Sequence, residues 1–101
     1  MATYNKLVRD KIPEWLDSKG IVYEKRIANE EEYKVELIKK LEEELNEFKE
    51  AADIEELADV IEVVEALKNL PEYKEVEFVR QKKLEEKGSF EKRIILKGEK
   101  K

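Results

Sequence analysis

Two pairs of acidic residues have the spacing and the surroundings of a metal site. Glu44 and Glu47 lie three positions apart, and so do Glu56 and Asp59. Residues three apart share one side of a helix, and both pairs fall on or beside the apolar stripe of a predicted helix. An ionised carboxylate that is buried without a cation costs on the order of several kcal/mol. The pattern therefore indicates either a divalent cation held by the four carboxylates, or lysine and arginine partners from elsewhere in the chain.

The chain contains no cysteine and no histidine, which excludes several kinds of chemistry. Thiol nucleophiles, Ser-His triads, imidazole acid–base catalysis and zinc sites are all removed. A metal would have to be bound through oxygen, which favours Mg²⁺, with Mn²⁺ as the alternative. The lack of cysteine also makes the reducing cytoplasm the expected compartment. No apolar run approaches the roughly 20 residues of a membrane span, so we expect no membrane association.

Two long helices are predicted to position these carboxylates. The first follows Asn29, a good N-cap, and runs to about Ala51. The second follows Asp53 as N-cap, with Glu56 as its capping-box partner, and ends near Leu70. Because the connection between them is short, the two helices should be antiparallel neighbours.

Shorter elements are predicted on both sides of this hairpin. A short helix is expected at 12–19 and a strand at 21–28, where β-branched and aromatic residues alternate in part. Pro71 opens a third helix, which ends at Gly88, and a second strand follows at 90–96. The two strands should pair, because a single short strand is not stable by itself.

The apolar faces of the two long helices are wider than one small domain can cover. We therefore expect a homodimer or a higher homo-oligomer, built around a four-helix bundle of residues 30–70. The predicted fold is mainly α. It is one domain over 1–101, with an antiparallel helical hairpin that forms the four-helix bundle on dimerisation and a short two-stranded β ribbon.

Basic residues concentrate at the two ends of the chain. Residues 29–70 carry a net charge of −10, whereas 1–28 and 71–101 carry +2 and +3. The bases with the most suggestive placement are Lys6, Arg9, Arg80, Lys83 and Lys87. Arg80, Lys83 and Lys87 are either phosphate ligands, ion-pair partners of the acidic helices, or long side chains that cover a core. Lys6 and Arg9, which cluster with Lys11, are either phosphate ligands or part of an ordinary charged terminus. The net charge of −5 and the lack of aromatic residues interleaved with these bases argue against a nucleic-acid ligand.

Four motifs occur in order along the chain. They are NKLVRDKIP near the start, L-x-E-E-x-x-E-F at 41–48, E-L-A-D-V-x-E-V at 56–63, and R-x-x-K-x-x-x-K-G-S-F at 80–90. Together they resemble the phosphoribosyl-ATP pyrophosphohydrolase-like group of the MazG-type, all-α nucleoside triphosphate pyrophosphohydrolase superfamily. The resemblance covers nearly the whole chain. It implies a helical, Mg²⁺-dependent enzyme that works as a dimer or higher oligomer and cuts a nucleotide to its monophosphate and pyrophosphate.

The resemblance also implies roles for individual residues. Carried over by position, the metal ligands are Glu44, Glu47, Glu56 and Asp59. Glu43, from the same motif as Glu44, is implied to activate water or to support the ligands, and we assign catalytic roles to Glu43 and Glu47. The implied phosphate contacts are Lys6, Arg9, Arg80, Lys83 and Lys87. The expected substrate is a nucleoside triphosphate or a phosphoribosyl-ATP-like nucleotide, in a role such as nucleotide-pool housekeeping. The alternative is a non-catalytic helical interaction module on the same scaffold.

Overall fold

Four helices account for most of residues 5–99, which are the residues described by the computed structural model. In chain order they are α1 (Ile12–Ser18), α2 (Glu30–Ala51), α3 (Ile54–Lys68) and α4 (Val76–Lys87). A 3-10 turn, Pro71–Tyr73, lies between α3 and α4. The mainly helical architecture expected from the sequence is confirmed, whereas the ends of the predicted domain, 1–4 and 100–101, lie outside the described residues. None of the described helices is both long and apolar enough to cross a bilayer.

Both predicted N-caps are present and fix where the long helices begin. The Asn29 side chain accepts a hydrogen bond of 2.9 Å from the Glu32 backbone N–H. The Asp53 side chain likewise accepts one of 2.9 Å from the Glu56 N–H. Each bond satisfies a donor that the first helical turn leaves without a partner. The return bond predicted from the Asp53 N–H to the Glu56 carboxylate is not formed among the described residues, because that carboxylate is directed towards α2 instead.

The connection between α2 and α3 is two residues long and depends on one unusual backbone conformation. Ala52 has a φ of 50°, in the left-handed region, and its N–H donates to the Phe48 carbonyl. This conformation reverses the chain at once, so that α3 returns antiparallel along α2. The acidic residues of the two helices consequently lie close together.

The core lies on the facing sides of α2 and α3. Leu37, Val63 and Leu70 are buried there. The partly buried residues packed against them are Leu7, Tyr33, Leu41, Ala66, Leu67 and Tyr73. The N-terminal segment and the 3-10 turn therefore both contribute to covering the hairpin.

The predicted helix at 12–19 is confirmed as α1. Gly20 adopts a φ of 70° directly after it, and the Gly20 and Ile21 N–H groups donate to the carbonyls of Asp17 and Leu16. Only a residue without a β-carbon enters this conformation readily. Gly20 therefore ends the helix, as the sequence indicated.

Two predictions about the second half of the chain are wrong in their boundaries. α3 ends at Lys68 rather than near Leu70. Pro71 begins the 3-10 turn and not the third helix, which starts only at Val76. The residue before a proline is disfavoured in the helical region, and Leu70 is accordingly extended, with a ψ of 139°. This extended residue separates α3 from the turn that follows.

The predicted two-stranded ribbon is also wrong for the single chain. No strand forms at 21–28 or 90–96, or elsewhere in the part of the chain that the structure describes. A strand needs a backbone partner for its N–H and C=O groups, and no backbone hydrogen bond joins these two segments among the described residues. In addition, the second segment begins with a turn, closed by a bond of 3.1 Å from the Arg93 N–H to the Phe90 carbonyl.

The chain is more extended than a compact domain of its length. Its Cα radius of gyration is 18.0 Å and its principal dimensions are 55 × 32 × 24 Å. A compact domain of this size has a radius of gyration of about 13 Å. α4 contains no buried residue, and the ion pair from Lys68 to Glu77, at 3.0 Å, links it to α3. Much apolar surface is consequently left uncovered.

Truncation of the core should show that the hairpin holds the fold together. Leu37→Ala should lower the free energy of unfolding by about 2–5 kcal/mol, because it leaves a cavity between α2 and α3. The matched control is Ile54→Ala, since the Ile54 side chain is 83% exposed and should cost less than about 0.5 kcal/mol. Urea denaturation followed by circular dichroism measures both. Equal losses for the two variants would contradict this description of the core.

Candidate metal centre

Three of the four predicted ligands are brought together by the hairpin. Glu44 on α2 and Glu56 and Asp59 on α3 each offer a carboxylate oxygen, and these oxygens all lie within 4.8 Å of one another. The spacing of three places the two α3 acids on the same side of their helix, and that side faces α2. The short connection at 52–53 sets the register in which Glu44 lies opposite them.

Hydrogen bonds and ion pairs compensate only in part for the burial of these carboxylates. Glu44 is only 6% exposed and is the one buried charged residue in the described part of the chain. Its Oε2 atom, and the Oε2 atom of Glu56, are buried without a hydrogen-bond partner. Buried polar atoms are rarely left unpaired, and an unpaired ionised one is expensive. Two such oxygens beside a third carboxylate form a set of oxygen donors of the kind that Mg²⁺ and Mn²⁺ accept.

Glu47, the fourth predicted ligand, is exposed and stands outside this group of three. It still belongs to the same electrostatic environment. The negative charge of Glu44 raises the pKa of Glu47, with desolvation and the charge of Glu56 adding to the effect. The carboxylate of Glu47 therefore lies near both Glu44 and Glu56, at the solvent-facing edge of the site.

Basic residues from the N-terminal segment contact the acidic helices. Such lysine and arginine partners are the alternative to a bound cation that the sequence left open. Lys6 Nζ lies 3.0 Å from Oε1 of Glu43. Arg9 donates from Nη2 to Oδ1 of Asp59 at 2.7 Å. Hydrogen bonding to Lys6 lowers the pKa of Glu43, so this carboxylate is firmly ionised. The N-terminal segment thus lies across the acidic face of the hairpin.

Lys40 is a site residue that sequence reasoning missed. Its Nζ lies 3.3 Å from Oε1 of Glu43 and 3.2 Å from Oε1 of Glu44. Partial burial opposes the charge of Lys40, but hydrogen bonds to these two carboxylates nevertheless raise its pKa. Its position, three and four residues before the acids on the same helix, is the spacing of intrahelical ion pairs, and this signal was available in the sequence.

The charge of the assembled group remains negative. The group contains five acids and three bases. The acids are Glu43, Glu44, Glu47, Glu56 and Asp59, and the bases are Lys6, Arg9 and Lys40. With every group ionised, the net charge is −2. One divalent cation would balance this charge.

A cleft of about 410 Å³ opens beside the carboxylates. Residues 7–11 form one wall, and the facing sides of α2 and α3 form the others. Its charged lining is Arg9, Asp10, Lys11, Lys40, Glu44, Asp59 and Glu62, and Tyr33 and Leu37 belong to its apolar part. A concave site that brings charged groups of both signs together can bind a small polar ligand.

The three bases predicted on the third helix are not brought to this cleft within one chain. Arg80 pairs with Glu77, one turn earlier on α4, at 2.9 Å. Lys83 and Lys87 are exposed and make no ion pair among the described residues. None of the three lines the cleft. If they contact a ligand bound there, they must do so from another copy of the chain or after α4 moves.

The repulsion among the acids should be visible as a pH-dependent stability. Desolvation raises the pKa of Glu56 above its ordinary value near 4.5, and the charges of Asp53 and Asp59 add to it. The folded chain therefore binds a proton more tightly here than the unfolded chain, so stability from this group is greatest at low pH and is lost as the pH rises through the raised pKa. At pH 7 without divalent cations, Glu56→Gln should raise the melting temperature, and the gain should vanish towards pH 4.

The control for this measurement is Glu42→Gln, because Glu42 is exposed on α2 and should change the melting temperature at neither pH. Thermal melts followed by circular dichroism between pH 4 and pH 8 are sufficient. A lower melting temperature for Glu56→Gln at pH 7 would mean that the Glu56 carboxylate stabilises the fold, contrary to the geometry.

Comparison with known proteins adds no relative to this description. No family model, no curated protein and no solved structure matches the chain.

Proposed function

We propose that the chain is an Mg²⁺-dependent nucleotide pyrophosphohydrolase, which cleaves a nucleoside triphosphate or a similar nucleotide to the monophosphate and pyrophosphate. The observation that carries the proposal is the pair of buried, unpartnered oxygens on Glu44 and Glu56, next to Asp59 and beside a cleft. The chemistry of this donor set fits a hard divalent cation. The four motifs that resemble the MazG-type superfamily support the same function.

Glu44, Glu56 and Asp59 would hold the Mg²⁺ ion, with Glu47 at the exposed edge as the fourth acid. Lys40 binds Oε1 of Glu44, which leaves Oε2 available. A bound Mg²⁺ supplies Lewis-acid chemistry, because it neutralises phosphate charge and makes a coordinated water more acidic. The net charge of −2 explains why the cation is needed at all, since the cluster alone would repel a phosphate group.

The basic residues beside the cleft would bind the phosphate oxygens. Arg9 and Lys40 line the cleft directly, and Lys6 lies next to Lys40 through their shared partner Glu43. Charged donors that are held in place before the substrate arrives stabilise the charge that develops as the anhydride bond breaks. Lysine and arginine are suited to this task because both remain protonated at neutral pH.

Two acids are candidates to accept the proton of the attacking water. Glu43 is held by both Lys6 and Lys40, so its carboxylate is already neutralised by two ammonium groups. Glu47 is exposed, lacks an ion pair among the described residues, and lies beside Glu44. We therefore assign proton transfer to Glu47 and the positioning of Lys6 and Lys40 to Glu43.

A screen of nucleoside triphosphates with Mg²⁺, read out as released pyrophosphate, tests the proposal. Glu47→Gln and Asp59→Asn should each lower turnover by about 100-fold or more, because one removes the proton acceptor and the other a metal ligand. Glu42→Gln, an exposed change on α2, should leave turnover unchanged. Mn²⁺ should replace Mg²⁺, and a chelator should abolish the reaction. Unaltered turnover in both site variants would overturn the assignment of the site.

The ion pairs at the site also support a second candidate, a non-catalytic helical interaction module. Lys6, Arg9 and Lys40 already neutralise part of the acidic cluster, as that alternative requires. Calorimetric titration with Mg²⁺ and Mn²⁺, with and without nucleotide, separates the two functions. The enzyme should bind the cation and lose this binding in Glu44→Gln, whereas the module should bind none.

We further propose that the enzyme is a homodimer or higher homo-oligomer of the cytoplasm, in which two hairpins form a four-helix bundle. Apolar side chains on the outer faces of α2 and α3 are exposed, among them Ile38, Leu45, Leu57 and Ile61. A second copy would cover them, and it would offer the bases of its α4, Arg80, Lys83 and Lys87, to a nucleotide in the first copy's cleft.

Light scattering at micromolar concentration tests this arrangement. The expected mass is at least twice the 12.0 kDa of one chain. Leu57→Lys and Ile61→Lys should each shift the protein towards the monomer, because each buries an unpaired charge in the apolar contact. Glu42→Lys adds the same positive group at another exposed position and serves as the control. A monomeric wild-type chain at these concentrations would contradict the bundle.

A further inference from the structure

Two exposed apolar segments of the chain have no strand partner among the described residues. Val22 in the segment 21–27 is 96% exposed, and Phe90 in the segment 90–96 is 97% exposed. Both segments are rich in β-branched and aromatic residues, which favour strands. Neither belongs to a helix or contributes to the core.

The two segments complement each other in one antiparallel register, with Glu24 opposite Arg93. Four apolar pairs then form, which are Ile21 with Leu96, Val22 with Ile95, Tyr23 with Ile94, and Ile27 with Phe90. Two pairs of opposite charge form as well, Glu24 with Arg93 and Arg26 with Glu91. Within one chain Arg26 pairs with Glu32, so it exchanges or shares that partner when the ribbon forms. Directly opposed pairs of these kinds stabilise antiparallel strands. Lys25 and Lys92 are the one like-charged pair in this register.

Neighbouring registers lose this match. A shift of two residues sets Arg26 against Arg93 in one direction and Glu24 against Glu91 in the other. A shift of one residue sets Phe90 against Arg26 and moves every side chain of one strand to the opposite face. The pattern of apolar and charged residues is therefore specific to a single alignment.

The backbone of the second segment, 90–96, contains an unfavourable conformation at Arg93 when the segment is unpaired. Arg93 has a φ of 55°, a left-handed conformation that residues other than glycine seldom adopt. It closes the turn that begins at Phe90. Pairing as a strand requires this turn to open, and the relief of the Arg93 conformation favours that opening.

The first segment is already oriented for pairing on one side. The Tyr23 hydroxyl donates to Oδ1 of Asp17 at 2.8 Å and also lies 3.3 Å from the Pro13 carbonyl, so its side chain lies against α1. Val22 is instead almost wholly exposed. Successive side chains of a strand point to opposite faces, so α1 can support the face of a ribbon that carries Ile21, Tyr23 and Ile27.

We propose that residues 21–27 of one copy pair with residues 90–96 of a second copy, as an antiparallel two-stranded ribbon that forms twice in a two-fold symmetric dimer. Within one chain no backbone hydrogen bond joins the two segments among the described residues, and each is complementary to the other rather than to itself. A two-fold axis supplies both complements at once, and the exposed backbone of each segment gains a partner. The exchange requires neither the metal nor the nucleotide, so it goes beyond the proposed activity and stands or falls separately.

Cysteine cross-linking tests the proposal directly, because the native chain has no cysteine. Chains that carry Val22→Cys are mixed and incubated with chains that carry Ile95→Cys, and the mixture is then oxidised. The expected product is a covalent dimer that contains one chain of each variant. Each single variant oxidised alone should give little dimer. Val22→Cys mixed with Ile94→Cys is the register control, since in the proposed alignment residue 94 lies opposite Tyr23 on the other face, and it should cross-link poorly.

Three results would overturn the proposal. No cross-link above the controls would show that the segments do not pair. A stronger product with Ile94→Cys would assign a different register. A double variant, Val22→Cys with Ile95→Cys, that oxidises to a species of one chain without free thiols would place the ribbon within a single molecule.

Charge reversal provides a second test that leaves the core untouched. Glu24 and Arg93 are exposed and make no ion pair among the described residues. Glu24→Arg should raise the dissociation constant of the dimer about tenfold, because it places like charges opposite each other in both ribbons. Adding Arg93→Glu should restore the original value. Glu85→Arg, an exposed reversal on α4, is the control, and failure of the double variant to recover would contradict the pairing.

Discussion

The approach of carboxylates across the interface between α2 and α3 is the constraint on which the rest of the structure depends. The same packing that buries Leu37 and Val63 forces Glu44 towards Glu56 and Asp59. Repulsion among these acids works against the hydrophobic contact that closes the hairpin. The fold persists because Lys40, Arg9 and Lys6 pair with the acids. The N-terminal segment is held across the hairpin by these ion pairs together with Leu7, which packs against the core.

This arrangement places stability and the proposed activity in opposition. Glu44 and Glu56 each retain a buried oxygen without a partner, and an apolar or amide side chain would be less costly at either position. A cation-binding enzyme requires those oxygens to remain available. Sites that carry such a cost are typical of functional residues, which destabilise the fold that holds them. The interaction-module alternative gives no comparable reason for leaving both oxygens unpaired.

The sequence predicted the hairpin well because its signals are local. Asn29 and Asp53 act within a few residues of themselves, and the apolar stripes of α2 and α3 determine which faces meet. The same stripes, combined with the spacing of three, predicted that Glu44, Glu56 and Asp59 come together. Lys40 was not predicted, although it lies three and four residues before Glu43 and Glu44, which is the spacing of intrahelical ion pairs. The ribbon was wrong because strand pairing depends on distant backbone, and composition alone does not say whether two segments of one chain can meet.

The two-residue connection at Ala52 also determines the order of events during folding. Glu44 and Glu56 are separated by 12 positions, whereas Lys6 and Arg9 must come from 37 and 50 positions away to reach Glu43 and Asp59. Contacts between residues close in sequence form first, because less chain entropy is lost in closing them. The acids therefore meet before most of their bases arrive, with Lys40 as the local exception. Repulsion among the acids of α2 and α3 therefore raises the barrier to folding. Dissolved salt and divalent cations should accordingly accelerate folding and not only stabilise the folded state.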